Sequence, residues 1–350
     1  MTESRRPAAT SRAVAIVGLL VLAPLCAELL SAYLAVAGDV ATSAFLVLFL
    51  GPLYGGAALL IREVAVRTGR GWTGVVLMAA AFGVAMTALI DLSLWTTDRT
   101  DVAGWSDIVG AARVQGVSAF ALASWVGGHV ALSIGAPLLL VDAGVPAVRG
   151  RPVLGRLGIG ITLLAALAVA AAVHLDPERS GILHTSLPRY ALAAAAVLAL
   201  VATALSPFGR PRPLVDGRRA GRPWQVFLAG VVLTALLDLA PPGWVGVTCI
   251  VVAAVLAVAL VGRSVRSPGW TRRHAVALAL GVVLERTAVG ALAPPAPGVP
   301  AGAVVAQAVV LALLLLVVGG WAWRGAGRPA AGAAGPGAGS APAVVEGGRR

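Results

Sequence analysis

The chain has no lysine, little charge of either sign, few aromatics and only two cysteines in 350 residues. Without lysine there is no Walker-type phosphate-binding motif, and neither a His-Glu-x-x-His helix nor a Gly-x-Ser-x-Gly elbow occurs. Charged residues make up 12% of the chain, about half the share usual in globular proteins. Cys26 and Cys249 fall in apolar runs far apart in sequence, so they read as small packing residues, not as a disulfide framework or a metal pair. The abundance of Ala, Gly, Pro and Arg reads as the coding bias of a GC-rich genome.

What is present is apolar surface. Hydrophobic residues are 59% of the chain and the mean hydropathy is +0.90, more than the interior of a soluble fold can hide. The formal charge of +12 would fit nucleic-acid binding only if the arginines formed one patch. They lie instead in short clusters between long apolar runs, which excludes nucleic acid as a partner and makes the lipid bilayer the surroundings, with a secondary attraction to anionic headgroups.

A spanning helix needs about 20 mainly apolar residues. Ten segments qualify, at approximately 13–37, 41–61, 72–95, 117–142, 157–175, 190–207, 224–240, 243–262, 274–293 and 302–323. The sixth and seventh are short, and Pro241-Pro242-Gly243 joins the seventh tightly to the eighth, so that hairpin either crosses or only dips into the membrane. Short cytoplasmic loops carry excess arginine. With the segments threaded alternately, 22 arginines fall at one end and four (Arg99, Arg113, Arg179 and Arg189) at the other. This predicts an all-α polytopic bundle of about ten spans in the inner (plasma) membrane, both termini cytoplasmic: residues 1–12 a cytoplasmic N-terminus, 13–323 the bundle, 324–350 a disordered Gly/Ala/Pro-rich tail. The first segment exceeds a signal-peptide core and carries Glu28, so it reads as a span in preference to a leader cut after Ala35-Val36-Ala37. Trp105, in the longest external loop, is expected at headgroup level.

Ionisable groups inside spans are costly and mark functional sites by default. Glu28, Asp91, His129, Glu285 and Arg286 are the candidates, with Asp238 nearer the external surface. Trp125, His129, Ser133 and Pro137 recur every fourth residue and share a helix face. Asp91, which shares a face with Thr87, is placed to hold the His129 imidazole as a proton relay. Glu285 and Arg286 point about 100° apart and need partners on other helices; Glu28 is the candidate for Arg286. Gly51, Pro52, Gly55 and Gly56 predict a kink or break in the second segment. No metal or cofactor set is legible.

The run from Gly51-Pro52-Leu53-Tyr54-Gly55-Gly56 through Arg62-Glu63-Val64 to Gly71-Trp72, with Gly128-His129 and Ala136-Pro137, resembles a family of uncharacterised multi-pass membrane proteins of high-GC actinobacteria. The resemblance covers about residues 20–145 and implies a class without a mechanism. That family carries two adjacent glutamates in its third helix, which with an aromatic-x-x-x-His helix are similar to intramembrane CAAX-type proteases. Trp125 and His129 keep the second pattern, but Met86 and Thr87 occupy the acidic positions. The resemblance therefore implies a non-catalytic chain.

Two functions follow as expectations. The first is a secondary transporter or permease-like protein, moving an ion or small molecule through a polar intramembrane site. The alternative is a catalytically degenerate protease-like scaffold that binds partner membrane proteins.

Overall fold

The computed structural model describes residues 7–31, 36–96, 99, 104–176, 185–296 and 298–329. Within them the chain forms eleven helices. In order these are α1 (Ala9–Leu29), α2 (Val40–Thr68), α3 (Trp72–Ile90), the short α4 (Trp105–Gly110), α5 (Ala119–Gly144), α6 (Arg156–His174), α7 (Leu187–Leu205), α8 (Pro223–Asp238), α9 (Trp244–Ser264), α10 (Arg272–Leu292) and α11 (Ala301–Ala326). The extended backbone is one hairpin, Arg113–Val114 against Val117–Ser118. It turns through Gln115 and Gly116, both at positive φ, the conformation that suits the twist of a tight hairpin.

Among the described residues, nine helices are long and apolar enough to cross a membrane. The tenth, α8, has 16 residues and a length of about 24 Å, below the roughly 30 Å of a hydrocarbon core. Two contacts with α10 fix its direction. At its start, the Gly221 carbonyl is 3.2 Å from His274 Nε2 in the first turn of α10, while its last residue, Asp238, meets Arg286 of α10. So α8 runs parallel to α10 and packs directly on it, while α9 returns along the side of α8 that faces α5.

The arginine-rich loops converge at one end, as alternate threading requires. Arg12 Nε donates to Val153 O at 2.9 Å, Arg70 to Ser206 O at 2.7 Å, and Val215 N to Arg266 O at 2.9 Å. Exposed Trp72 and Trp224 and Trp323, which lies 5.5 Å under the Arg273 guanidinium, ring the same end. Indole rings sit at a membrane interface because one edge is apolar and the N–H is polar.

Burial is uneven. Over its apolar window α10 is 56% buried and α6 only 6%, so α10 is an inner helix and α6 faces outward. Two apolar clusters form the core: one gathers α1, α2, α3 and α5, the other the end of α1 with α5, α10 and α11. Helix α5 belongs to both. Glycines allow the closest approaches. A Cβ on Gly281 of α10 would lie 2.2 Å from Phe227 O of α8, and one on Gly55 of α2 would lie 2.4 Å from Leu20 Cα of α1. Lipid tails are as apolar as leucine, so helices in a bilayer associate through such backbone packing.

Two expectations change. Of the kink or break expected at Gly51 to Gly56, the break is absent: the helix continues from Val40 to Thr68, and the distortion takes the form of a π turn at Gly51–Gly55. Pro52 lacks a donor, and the wider turn absorbs that loss without interrupting the rod. Trp105, expected at headgroup level, turns its ring into the protein. It is buried, donates to Thr96 O at 3.1 Å and stacks on Trp125 at 5.3 Å. The tail expected at 324–350 is helical as far as Ala326, and its residues from 330 onward lie outside those described, as do Arg5, Arg6, Ala35, Arg179 and His184.

Candidate functional site in the bundle interior

Four of the inner spans widen to a π turn: α1 at Leu25–Leu29, α2 at Gly51–Gly55, α3 at Met86–Ile90 and α5 at His129–Gly135. One extra residue in a turn swings the side chains beside it off the regular register, and such turns concentrate at functional sites. Here they bring three of the expected and unexpected polar residues together.

Glu28 lies in the α1 turn and Tyr54 in the α2 turn, and the Tyr54 hydroxyl donates to Glu28 Oε1. The Tyr54 ring, 2% exposed, stacks on the His129 imidazole with centroids 5.8 Å apart. Phe82 of α3 closes the group edge-on, 5.6 Å from His129 and 5.7 Å from Tyr54. Gly83 makes room for it: a Cβ there would sit 3.2 Å from His129 Cβ. His129 Nδ1 is 3.0 Å from Ser133 Oγ, one turn on. A carboxylate, a phenol and an imidazole from three spans thus form one contiguous polar thread, in which only Tyr54 touches both other groups.

The expected carboxylate for His129 does not supply its partner. Asp91 follows α3 and accepts from Ser93 N at 2.9 Å, a local Asx turn of the kind aspartate makes with the backbone two residues on, while His129 spends its bond on Ser133. The expected Glu28–Arg286 pair is replaced as well. Arg286 Nη1 is 2.8 Å from Asp238 Oδ1 and its Nε donates to Ser31 Oγ at 2.9 Å. Asp238, expected nearer the external surface, is the last residue of α8. Its carboxylate turns inward onto Arg286 and is 4% exposed, so it is not in reach of water. Glu285 and Arg286 do diverge, but toward α8 together.

A third polar cluster lies at the arginine-rich end and was not legible. Arg62 pairs with Asp142 at 2.9 Å and donates to Val148 O and Arg151 O. Glu63, 1% exposed, accepts from Val153 N at 2.6 Å, from Leu154 N at 3.2 Å and from Arg67 Nε at 2.9 Å. Arg149 donates to Asp142 O and Ala143 O, and to Gly325 O and Arg328 O. It thereby satisfies the orphan carbonyls at the ends of both α5 and α11. Burial, then the neighbouring Arg272 charge, draws the Arg149 pKa below the usual arginine value. Arginines that read as topology markers therefore also hold the 145–155 loop against the bundle. The residue signal was Glu63, a carboxylate beside three arginines, but only folding brings two backbone N–H groups to it.

Among the described residues no three His, Cys, Asp or Glu side chains converge as metal ligands. Fold and interior together define an all-α polytopic membrane protein with buried polar clusters. No family model, no curated protein and no solved structure matches the chain.

Proposed function

We propose that this is a secondary transporter or permease-like protein of the bacterial inner membrane, both termini cytoplasmic, whose intramembrane site is built around Glu28, Tyr54 and His129. The observation that carries the reading is the meeting of these three groups, from three spans, inside the bundle. Structural needs alone do not call for it. An interhelical hydrogen bond in a membrane is worth about 1 kcal/mol or less, whereas a buried carboxylate costs more than that. Such a group is retained where its charge or its proton is used. The π turns at the same level supply backbone groups and local play that a rigid α-helical bundle lacks.

Flux of protons and small solutes into proteoliposomes, compared between wild type, His129→Ala and Tyr54→Phe, tests this. Loss of flux in both variants, with wild-type folding by circular dichroism, is the expected result. Flux that is absent from wild type under every gradient applied rules the reading out. Crosslinking that then recovers one specific membrane protein would put the non-catalytic scaffold in its place.

A further inference from the structure

The second buried cluster, between α8 and α10, has a charge count of its own. Arg286 Nη1 meets Asp238 Oδ1 at 2.8 Å, which by itself is a neutral pair. Yet the Glu285 carboxyl also lies within hydrogen-bonding reach of the Asp238 carboxyl. Glu285 is 8% exposed and the Asp238 side chain 4%. Asp238 Oδ2 and Glu285 Oε2 are both fully buried and neither receives a bond from any donor. Two carboxyl groups side by side hold only acceptor oxygens, so a hydrogen bond between them requires a proton on one.

We propose that Asp238 and Glu285 form a one-proton site, their carboxyls sharing a single proton that makes the three-residue cluster with Arg286 electrically neutral. Without that proton the cluster is one negative charge inside the bundle, with Arg286 the one cation bonded to it among the described residues. The elements around it bear this out. The end of α1 contributes Ser31, which accepts from Arg286 Nε at 2.9 Å, and Glu28 one turn earlier is engaged by Tyr54. From α11, Gln307 donates to Leu29 O and accepts from Gly38 N. From α5, Gly127 packs on Leu237, and Phe120 joins Leu237 and Ile250 of α9 in an apolar cluster. Among the described residues, no other charged side chain is bonded to the three.

Geometry also limits exchange to one proton. Arg286 is fixed by two partners and holds Asp238 by Oδ1, so Asp238 stays in place whichever carboxyl carries the proton. Glu285 is the member without a cationic partner of its own, and it loses its bond when the proton leaves. In a transporter this site would carry the coupling proton, a role that rests on the transport reading; the site itself does not.

Infrared spectroscopy of the purified protein in lipid reads the proton directly, through the carbonyl stretch of a buried protonated carboxyl. Wild type is expected to show this band. Glu285→Gln is expected to abolish it, because it leaves the Asp238 carboxylate against the Arg286 guanidinium and no proton to share. Glu28→Gln is expected to leave it. The melting temperature of wild type should fall toward alkaline pH, as the shared proton is lost and the charge left uncompensated, and Glu285→Gln should lose that dependence. A band missing from wild type, a band surviving in Glu285→Gln, or a pH slope unchanged in that variant overturns the site. Sodium stabilising a wild type that shows no band would overturn it equally. A band present in a protein that carries no flux removes the transport reading and leaves this site intact.

Discussion

Tyr54 donates to the Glu28 carboxylate from the same side chain whose ring lies on His129, so a hydroxyl and a ring face of one residue couple an acid in α1 to a base in α5. Tyr54→Phe separates the two contacts. The ring packing against Phe82 and His129 stays, and Glu28 loses a donor to its charge. An interhelical hydrogen bond in a membrane contributes about 1 kcal/mol or less. Chemical denaturation in mixed micelles should show a loss of this size, while a loss of flux out of proportion to it would assign Tyr54 to transport.

At the arginine-rich end, exposure separates two arginines on neighbouring turns. Arg62 is 3% exposed and pairs with Asp142, whereas the Arg67 side chain is 39% exposed and reaches Glu63 from the surface. Removing Arg62 takes away a buried guanidinium and the partner of Asp142, a loss of about 3–5 kcal/mol; removing Arg67 leaves buried Glu63 still bonded to the Val153 and Leu154 N–H groups and costs less. Arg62→Ala should therefore lower the melting temperature several times more than Arg67→Ala. Equal effects would show that the burial of Arg62 carries no energetic weight.

Helix packing gives a contrast between two glycines. A Cβ on Gly281 would sit 2.2 Å from Phe227 O, while one on Gly128 meets nothing within 4 Å. Gly281→Ala must push α8 from α10 and should destabilise by about 1–3 kcal/mol, the usual cost of overpacking. Gly128→Ala should be neutral or slightly stabilising, since Ala loses less entropy in a helix. Thermal unfolding of both variants decides the matter.

Asp39 precedes α2 and its carboxylate accepts from the Thr42 hydroxyl and the Thr42 N–H. Those two bonds hold its pKa below the ordinary aspartate value. A lowered folded-state pKa means that the stabilisation is complete above the unfolded value and fades as pH falls through the folded one. Asp39→Asn keeps an N-cap acceptor and should remove that acid dependence. Asp39→Ala should lower stability at every pH, as followed by melting curves across the acidic range.

Topology is open to single-cysteine labelling in a background lacking Cys26 and Cys249. Arg219 and Pro268 are exposed at the arginine-rich end, and Pro242 is exposed at the turn after α8. Cysteines at 219 and 268 should react from the cytoplasmic side of oriented vesicles, and one at 242 from the opposite side. Labelling of all three from one side would show that α8 and α9 fail to cross.

The spans were legible because a bilayer imposes one length and one polarity on every crossing helix, and nearly every segment boundary falls within a few residues of the helix observed. The arginine clusters were legible for the same reason, since a charge that remains in water marks a loop whatever the fold. Partners were not. Glu28 and Arg286 each announced a need for a counter-group, but periodicity locates a residue on its own helix and is silent about which neighbour faces it. The burial of Asp238 was not legible, because position along one span does not say that its carboxylate turns inward onto Arg286. Tyr54 drew no attention, since a lone tyrosine in an apolar run reads as packing until an acid and an imidazole are seen on either side of it.

Sequence by itself determined that this chain crosses a membrane many times and which end of each helix carries the positive charge, because both follow from transfer of side chains between water and hydrocarbon. Tertiary structure alone decided which buried charges meet. That choice depends on backbone approach at Gly55, Gly83 and Gly281 and on π turns that rotate Glu28, Tyr54 and His129 inward. Those are properties of pairs of helices, and no single helix encodes them.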